Sequence, residues 1–492
     1  MKPVSRLEYR LIDFSDAAEI EQYAKQLEGH TFQEILDLDK APEGVHRDYG
    51  SKRYKGGLGT LIEERYFGYK ANSDPNADFA EAGLELKATC FDRLKSGDIS
   101  AGERLVLTMV PFNEDIEDDL EESHLWDKLG NILLIYYERN RDIDSYDQRI
   151  AYVAVFEPKG TDLAIIEEDY RKIQSYVTSG RAHELSEGLT RYLGACTKGA
   201  TLATMWVDQA YAPGVPAKRR AFCLKRSYMD AVLKSLAAES CGLGDDEEPI
   251  VKDASELAGR SFEEFVQGLI APYVGKTDKE ICKMLGLEYK GNKAQWTQIS
   301  YHMLGISGDH AEEFDKGGVS VRTVRIEESG SVKESMSLTT FRFKDLVLEE
   351  WDDSPLRNYF EETSFFFVAF RKSSDDVVLA GTKFWSMPES DIEGGLRECW
   401  ERTKRVINEG VELKAKVLSS GKVTYTNNLP AMADNPVAHV RPHASASAYR
   451  FSDGSEVGNV RRDADELPDG RAMTRQSFWL NSGYVYEIVS LI

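Results

Sequence analysis

The second half of this 492-residue chain repeats short sequence patterns of the first half in the same order. Each half has a helix-start signal, then an apolar strand, then a strand that runs into a closing helix. The matched pairs are 27–35 with 257–265, 131–137 with 364–370, and 221–228 with 477–484. The first pair has a capping box in both copies, formed by Thr31 and Glu34 in the first. The repeat predicts two diverged copies of one domain, and the length alone argues against a single core.

A change in composition marks the boundary between the copies. Residues 242–249, GLGDDEEP, are acidic and rich in residues that break helices and strands. Such a segment is typical of an interdomain linker. We therefore predict a first domain over residues 1–238, an acidic linker over 239–255, and a second domain over 256–492.

Charge and cysteine content restrict the function classes only loosely. The chain has 84 acidic and 61 basic residues, a formal net charge of −23, which argues against a purely electrostatic nucleic-acid binder but not against a basic cleft. The six cysteines form no CxxC pair, so their spacing predicts no zinc or iron–sulfur site. No secretory signal or membrane-spanning apolar run is recognisable, and free thiols fit a cytoplasmic protein.

The strongest chemical signal lies between residues 55 and 87. Leu84 and Leu86 alternate with Glu85 and Lys87. On a strand, this alternation sends the leucines to the core and the acid and the amine to the opposite face. A second acid, Asp78, lies seven residues upstream of Glu85. The pattern predicts a helix, a turn and a strand that together carry the charged groups.

Two carboxylates and a lysine are the usual parts of a magnesium-dependent phosphodiesterase site. The carboxylates supply hard oxygen ligands, and the lysine orients or deprotonates the attacking water. The alternative is a solvated strand face, on which a Glu-x-Lys pattern is common. Asp78 and a further acid, Glu63, upstream of it favour the catalytic interpretation.

The second copy provides an internal comparison for these positions. Aligning the repeats places Glu313 opposite Asp78, Ser320 opposite Glu85, Arg322 opposite Lys87, and Ser300 opposite Glu63. Serine supplies no charged oxygen ligand, and the pKa of arginine is too high for a useful base. We predict that the second copy keeps the scaffold and has lost the chemistry.

These residues resemble a known family. The segments Lys55-Gly56-x-x-Gly59-x-Leu61-Ile62-Glu63, Asp78-Phe79, Gly83-Leu84-Glu85-Leu86-Lys87 and Asp127-Lys128-Leu129-Gly130-Asn131 are similar to those of the MutH family of endonucleases. The layout of an active first copy and a degenerate second one resembles the type IIE restriction enzymes that cut GATC. The resemblance implies an α/β fold class: two tandem copies of a restriction-endonuclease-like (MutH-like) fold, each with a mixed central sheet flanked by helices.

The resemblance also implies roles for individual residues. Asp78 and Glu85 would bind Mg²⁺, and Lys87 would position or activate the water. Glu63 would be a further or second metal ligand. Lys128 matches an additional active-site lysine that contacts phosphate.

Candidate DNA-binding residues come from segments further along the chain. In the family, an Arg-Pro-Lys-Ala segment reads the GATC bases. The first copy keeps Lys198 but has Cys196 in place of the arginine, whereas the second copy has Arg441, Pro442 and His443. This contrast favours DNA binding by the second copy, because arginine is the common bidentate reader of guanine. Arg220, in the basic segment 218–220, and Lys225 are further candidates.

Together these observations predict a type II (IIE-like) restriction endonuclease with Mg²⁺ as cofactor. The partner would be double-stranded DNA containing GATC, with two sites per complex and self-association of the protein on DNA as an option, and no membrane. The second domain would bind another GATC and stimulate the first. Two alternatives remain open: a MutH-type strand-nicking mismatch-repair endonuclease, and a non-catalytic DNA-binding regulator.

Overall fold

The computed structural model describes residues 7, 12–38, 47–51, 56–71, 76–198, 205–241, 247–417, 419 and 423–492. The chain divides into two compact units. The first unit comprises Met1–Phe265 with His310–Val319, and the second comprises Val266–Asp309 with Ser320–Ile492. The division predicted from composition differs from this one, because the structure groups 256–265 and 310–319 with the first unit. Part of the predicted linker, residues 242–246, lies outside the described residues, as does Lys55.

The first unit is built on two sheets. Its strands are β1 Glu85–Arg93, β2 Ile99–Ala101, β3 Leu105–Met109, β4 Ile132–Glu138, β5 Arg149–Phe156, β6 Leu193–Thr197, β7 Trp206–Gln209, β8 Ala212–Lys218 and β9 Arg220–Leu224. The larger sheet has the order β2-β1-β4-β5, with β1 parallel to β4 and the other pairs antiparallel. The smaller sheet, β3-β9-β6, is antiparallel, and β7 pairs with β8. The mixed sheet agrees with the predicted fold class.

Helices flank these sheets. They are α1 Ala17–Ala24, α2 Phe32–Leu36, α3 Gly57–Leu61, α4 Trp126–Leu129, α5 Gly160–Thr178, and the helices Arg226–Cys241 and Glu312–Gly317; a π-helical turn, Ile62–Phe67, continues α3. The predicted capping box at Thr31 and Glu34 is present. Helix α5 ends at Thr178, and Gly180, two residues further on, has a φ of 72° in the left-handed region that favours glycine.

The second unit repeats this arrangement. Its strands are β10 Val319–Ile326 (Val319 belongs to the first unit), β11 Met336–Thr340, β12 Ser364–Ser373, β13 Asp376–Trp385, β14 Lys414–Val417, β15 Val423–Thr426, β16 Ala438–Pro442, β17 Tyr449–Arg450, β18 Glu456–Val457, β19 Ala464–Glu466, β20 Ala472–Thr474 and β21 Gln476–Leu480. The helices are Phe262–Ile270, which crosses the unit boundary, Asp278–Leu285, Lys293–Met303, Phe343–Leu346, Pro355–Glu362, Glu389–Asp391, Arg397–Glu409, Val460–Asp463 and Ser482–Val489. The capping box predicted before Phe262–Ile270 joins Ser261 and Glu264.

The sheet orders support the predicted duplication. In the second unit β10-β12-β13 corresponds to β1-β4-β5, and the antiparallel sheet β11-β21-β16 corresponds to β3-β9-β6. The registers also agree, since Leu193 pairs with Leu224 in one unit and Ala438 pairs with Leu480 in the other. This register places Cys196 opposite the position of Arg441, as the sequence alignment does. Within the described part of the chain, no helix is long and apolar enough to cross a membrane.

Candidate active site

A tight turn precedes the strand that carries the charged residues. A single 3₁₀ turn, Ala80–Ala82, ends at Gly83, whose φ of 58° lies in the left-handed region that favours glycine. The chain then reverses, and the backbones of Phe79 and Leu84 exchange hydrogen bonds of 2.9 and 3.2 Å. Leu84 is buried in the core, as the alternating pattern predicts. The turn therefore places Asp78, the residue before Phe79, next to the start of β1.

The two carboxylates of the predicted site lie side by side at this turn. The Asp78 amide donates to the Glu85 carboxylate at 3.2 Å. In return, the Leu86 amide donates to the Asp78 carboxylate at 3.0 Å. The backbone thus holds both acids in place, although they are seven residues apart in the sequence.

Two lysines bind the Glu85 carboxylate. Its Oε1 lies 2.5 Å from Lys87 Nζ, and its Oε2 accepts a hydrogen bond of 2.9 Å from Lys128 Nζ. Lys128 Nζ also donates to the carbonyl of Asn76 at 2.5 Å. Glu85 is only 2% exposed. This burial argues against the solvated-face interpretation, because a buried carboxylate requires charged or hydrogen-bonding partners.

A third acid enters the cluster from the neighbouring helix. Glu63 lies in the π-helical turn Ile62–Phe67, an irregularity often found at functional sites. Burial raises the pKa of Glu63 to about 7, and the charges of Asp78 and Glu85 add to this effect while Lys87 opposes it. Burial and the Glu85 charge likewise raise the pKa of Asp78 to about 6. The acids therefore repel one another when all are charged.

The donor set fits a divalent cation. Two carboxylates fixed by the backbone and a third acid nearby supply the hard oxygen ligands that Mg²⁺ prefers, and Mg²⁺ keeps several waters besides. A bound cation would also remove the mutual repulsion that raises the pKa of Glu63 and Asp78. As the described residues stand, no group of three or more His, Cys, Asp or Glu side chains is placed closely enough to hold a metal ion. Asp78, Glu85 and Glu63 are the residues that would hold the ion.

The second copy lacks these features at every aligned position. Ser320 and Arg322 replace the acid and the lysine of the strand, and Arg322 Nη2 lies 3.4 Å from the Tyr359 hydroxyl. Ser300, aligned with Glu63, is buried and donates to its own helix at the Trp296 carbonyl. Glu313, aligned with Asp78, accepts hydrogen bonds from the backbone amides of residues 250 and 251. These contacts are structural, as expected for a copy without the chemistry.

The structure places two predicted DNA-contact residues inside the first unit. Arg220 and Lys225 are each 1% exposed. Arg220 Nη1 donates to the Ala195 carbonyl, and Lys225 Nζ donates to the Thr190 carbonyl. Their charges serve the packing around β6 and β9, so the prediction that they contact DNA is corrected here. Lys198 is half-buried at the end of β6, where its amide donates to the Arg219 carbonyl.

The candidate base-reading residues of the second unit are exposed, in contrast to Arg220 and Lys225. Arg441 and His443 are exposed at the end of β16. The guanidinium of Arg441 stacks over the ring of Trp479 with 4.5 Å between Cζ and the ring centroid. The His443 ring lies 5.6 Å from the same indole. Sequence analysis missed Trp479, although its alignment with Cys223 in the repeated closing strand marked it as a position where the copies differ.

Comparison with known proteins agrees with this geometry. Over 464 residues the chain is 36% identical to the type II restriction enzyme Sau3AI of Staphylococcus aureus, which covers 89% of this chain and 93% of that enzyme. DNA mismatch repair proteins MutH match a smaller part. The one from Shewanella amazonensis is 30% identical over 188 residues, 37% of this chain and 80% of that protein, and one from Escherichia coli is 29% identical over 220 residues, 43% and 88%.

The profile of the DNA mismatch repair enzyme MutH matches residues 67–169. This range holds Asp78, Glu85, Lys87 and Lys128, the residues that hydrogen bonds bring together. The Sau3AI match extends through both units. The chain therefore belongs to the family of MutH-like restriction endonucleases.

Proposed function

We propose that the chain is a type II restriction endonuclease whose first unit hydrolyses both strands of double-stranded DNA at GATC in a magnesium-dependent reaction. The observation that carries this proposal is the buried cluster in which Glu85 meets Asp78, Lys87 and Lys128. The GATC sequence comes from the resemblance of the two-copy layout to enzymes that cut it. The similarity to a type II restriction enzyme over 89% of the chain supports the same activity.

Asp78, Glu85 and Glu63 would hold the metal ion. When bound, Mg²⁺ supplies positive charge that polarises a phosphoryl oxygen and acidifies a water. The chain's own lysines do the rest. Lys87 Nζ, held at 2.5 Å by Glu85, orients the attacking water and takes part in moving its proton. Lys128, fixed by Glu85 and the Asn76 carbonyl, keeps the carboxylate in place and puts a positive charge near the phosphate.

The second unit is proposed to bind another GATC and to stimulate the first. Its exposed Arg441, whose guanidinium carbon lies 4.5 Å from the centre of the Trp479 ring, has the planar fork that reads guanine in the major groove. His443 lies beside it. The aligned strand positions of the first unit hold the buried thiols Cys196 and Cys223, so this arginine–indole pair has no counterpart at those two positions.

The direct experiment is cleavage of matched plasmids with zero, one or two GATC sites, with Mg²⁺ or with a chelator. We expect cutting only with Mg²⁺ and GATC, and a higher rate on the two-site plasmid. A product nicked in one strand only would favour the mismatch-repair alternative. Binding without any cleavage would favour a DNA-binding regulator.

The effector role is tested in the full chain. A truncation at residue 256 also removes 256–265 and 310–319, which belong to the first compact unit. Point substitutions in the second unit are therefore cleaner. A short duplex containing GATC, added to a one-site substrate, should raise its cleavage rate, and Arg441→Ala should need a higher duplex concentration for the same rise while the unstimulated rate stays the same.

A further inference from the structure

A half-buried tyrosine beside the carboxylate cluster, Tyr69, has no part in the function proposed so far. Tyr69 follows Gly68, which ends the π-helical turn, and its amide donates to the Glu63 carbonyl at 3.2 Å. Its ring packs edge-on against Phe79, with 5.6 Å between centroids. Tyr69 is thus fixed between the backbone of one proposed metal ligand and the neighbour of another.

The hydroxyl of Tyr69 is buried, and none of the described residues forms a hydrogen bond with it. A phenol is protonated at neutral pH, so this hydroxyl remains a donor. A buried donor without an acceptor destabilises the folded protein, whereas a phenylalanine would fill the same space without that cost.

The inactive copy has an apolar residue at this position. The alignment that matches Phe67-Gly68 with Leu304-Gly305 places Ile306 opposite Tyr69. Ile306 is buried, and its amide donates to the Tyr301 carbonyl. The fold therefore needs only an apolar side chain there. The hydroxyl occurs in the copy that keeps the acids and is absent from the copy that lost them.

We propose that Tyr69 is a positioning residue of the active site, whose hydroxyl donates a hydrogen bond to an oxygen ligand that enters the carboxylate cluster. That oxygen belongs either to a water of the hydrated cation or to the DNA phosphate. The inference rests on the proposed metal-dependent cleavage. It gives a role to the Tyr69 hydroxyl, the one buried hydroxyl at this cluster that has no hydrogen-bond partner among the described residues.

Tyr69→Phe tests the proposal, with Tyr192→Phe as a matched control. Tyr192 also has a buried, unpaired hydroxyl, but this residue lies next to β6 and stacks on Tyr228. Without divalent cations, both variants should be as stable as the wild type or more so in thermal unfolding. We then measure Ca²⁺ binding by calorimetry, alone and with a GATC duplex, and Mg²⁺-dependent single-turnover cleavage.

If the oxygen is a water of the cation, Tyr69→Phe should weaken Ca²⁺ binding about ten-fold without DNA. If it is a phosphate oxygen, Ca²⁺ alone should bind normally, and the loss should appear only with the duplex. In either case cleavage should slow by about ten-fold or more while Tyr192→Phe matches the wild type. Equal behaviour of the two variants in all three assays would overturn the proposal. A wild-type protein that neither binds cations nor cleaves DNA would instead overturn the proposed function.

Discussion

The two copies in this chain share two corresponding sheets but carry different side chains at aligned positions of those sheets. At the start of β1 the first copy has a buried acid held by two lysines, and the second has Ser320 and Arg322 at the aligned positions. In the antiparallel sheet of each unit, the second copy instead carries the candidate functional residues. The first copy has buried thiols at positions 196 and 223, where the second presents an arginine stacked on an indole.

These two differences suggest how two copies of one domain can come to have different functions. A metal site needs several charged oxygens in one place. Once one acid is lost, selection no longer preserves the neighbouring acids as metal ligands. A base-reading edge needs an exposed, rigid donor fork and no metal. In the proposed function, the first copy would cut DNA at GATC and the second would bind the effector GATC. Substitutions at aligned positions should therefore affect different steps.

The largest expected effect comes from exchanging the aligned basic residues. Lys87→Arg should slow single-turnover cleavage by about 10² to 10⁴-fold, because arginine does not exchange a proton with water at neutral pH. Arg322→Lys should leave the rate unchanged, since no acid stands at Ser320. Equal losses in the two variants would contradict the division of roles.

The next largest effect is the pH dependence of cleavage. Asp78 and Glu63, with pKa values raised to about 6 and about 7, must lose their protons to bind a cation. The cleavage rate should therefore fall steeply between about pH 7 and about pH 5. Raising the Mg²⁺ concentration should move the midpoint to lower pH, because cation and proton compete. Effector binding through Arg441 should not weaken over this range, since arginine stays charged.

Arg441→Ala should raise the concentration of effector duplex that gives half-maximal stimulation. Loss of a bidentate guanine contact is worth about 1–3 kcal/mol, or about 5- to 150-fold. The comparison variant is Cys196→Ala at the aligned position of the first unit, which should leave this concentration unchanged. Replacing guanine by 7-deazaguanine in the effector should have little further effect on Arg441→Ala. A full additional loss would show that another residue reads the base.

The sequence predicted the strand, turn and helix that carry Asp78, Glu85 and Glu63 because alternation and spacing report local structure. Leu84 and Leu86 point to the core as expected. Lys128 came from resemblance, and in the structure its Nζ donates a hydrogen bond to the second oxygen of Glu85. Local sequence patterns could not predict that contact, because 43 residues separate Lys128 from Glu85 in the sequence.

The predictions that did not hold concern burial of charge. Arg220 was predicted to contact DNA because it lies in the basic segment 218–220, and Lys225 because it follows the closing strand in the segment matched to the family. Their side chains instead satisfy the carbonyls of Ala195 and Thr190. Tyr69 was missed for a related reason. An isolated tyrosine after a glycine has no periodic pattern, and only its buried, unpaired hydroxyl singles it out.

A smaller effect is expected at the indole beneath the arginine. Trp479→Leu keeps Arg441 but removes the stacking surface 4.5 Å below its guanidinium. Because a cation–π contact at an exposed site contributes about 0.5–1 kcal/mol, we expect effector stimulation to need about two- to five-fold more duplex. Trp479→Phe should recover part of the loss. Loss equal to that of Arg441→Ala would mean that Trp479 supports the fold of the strand rather than the stacking.

The smallest expected effect is on thermal stability. It compares a charged residue of the first copy, Glu63, with the uncharged residue at the aligned position of the second copy. The pKa of Glu63 is raised in the folded protein from 4.5 to about 7, so the folded state holds the proton more tightly than the unfolded state. Stability is therefore lost as the pH rises through this window. Without divalent cations, Glu63→Gln should raise the melting temperature by a few degrees above about pH 7, and the gain should vanish below about pH 4.5.

Ser300→Ala, at the aligned position of the second copy, changes a buried hydroxyl that does not titrate in this range. Its effect on the melting temperature should be the same at every pH. Added Ca²⁺ should reverse the order for Glu63, because the ion stabilises the wild-type carboxylate and not the amide. A gain for Glu63→Gln that is constant from pH 4 to pH 8 would show that packing, not the burial of the charged carboxylate and its repulsion by Asp78 and Glu85, determines the stability of the first copy's site.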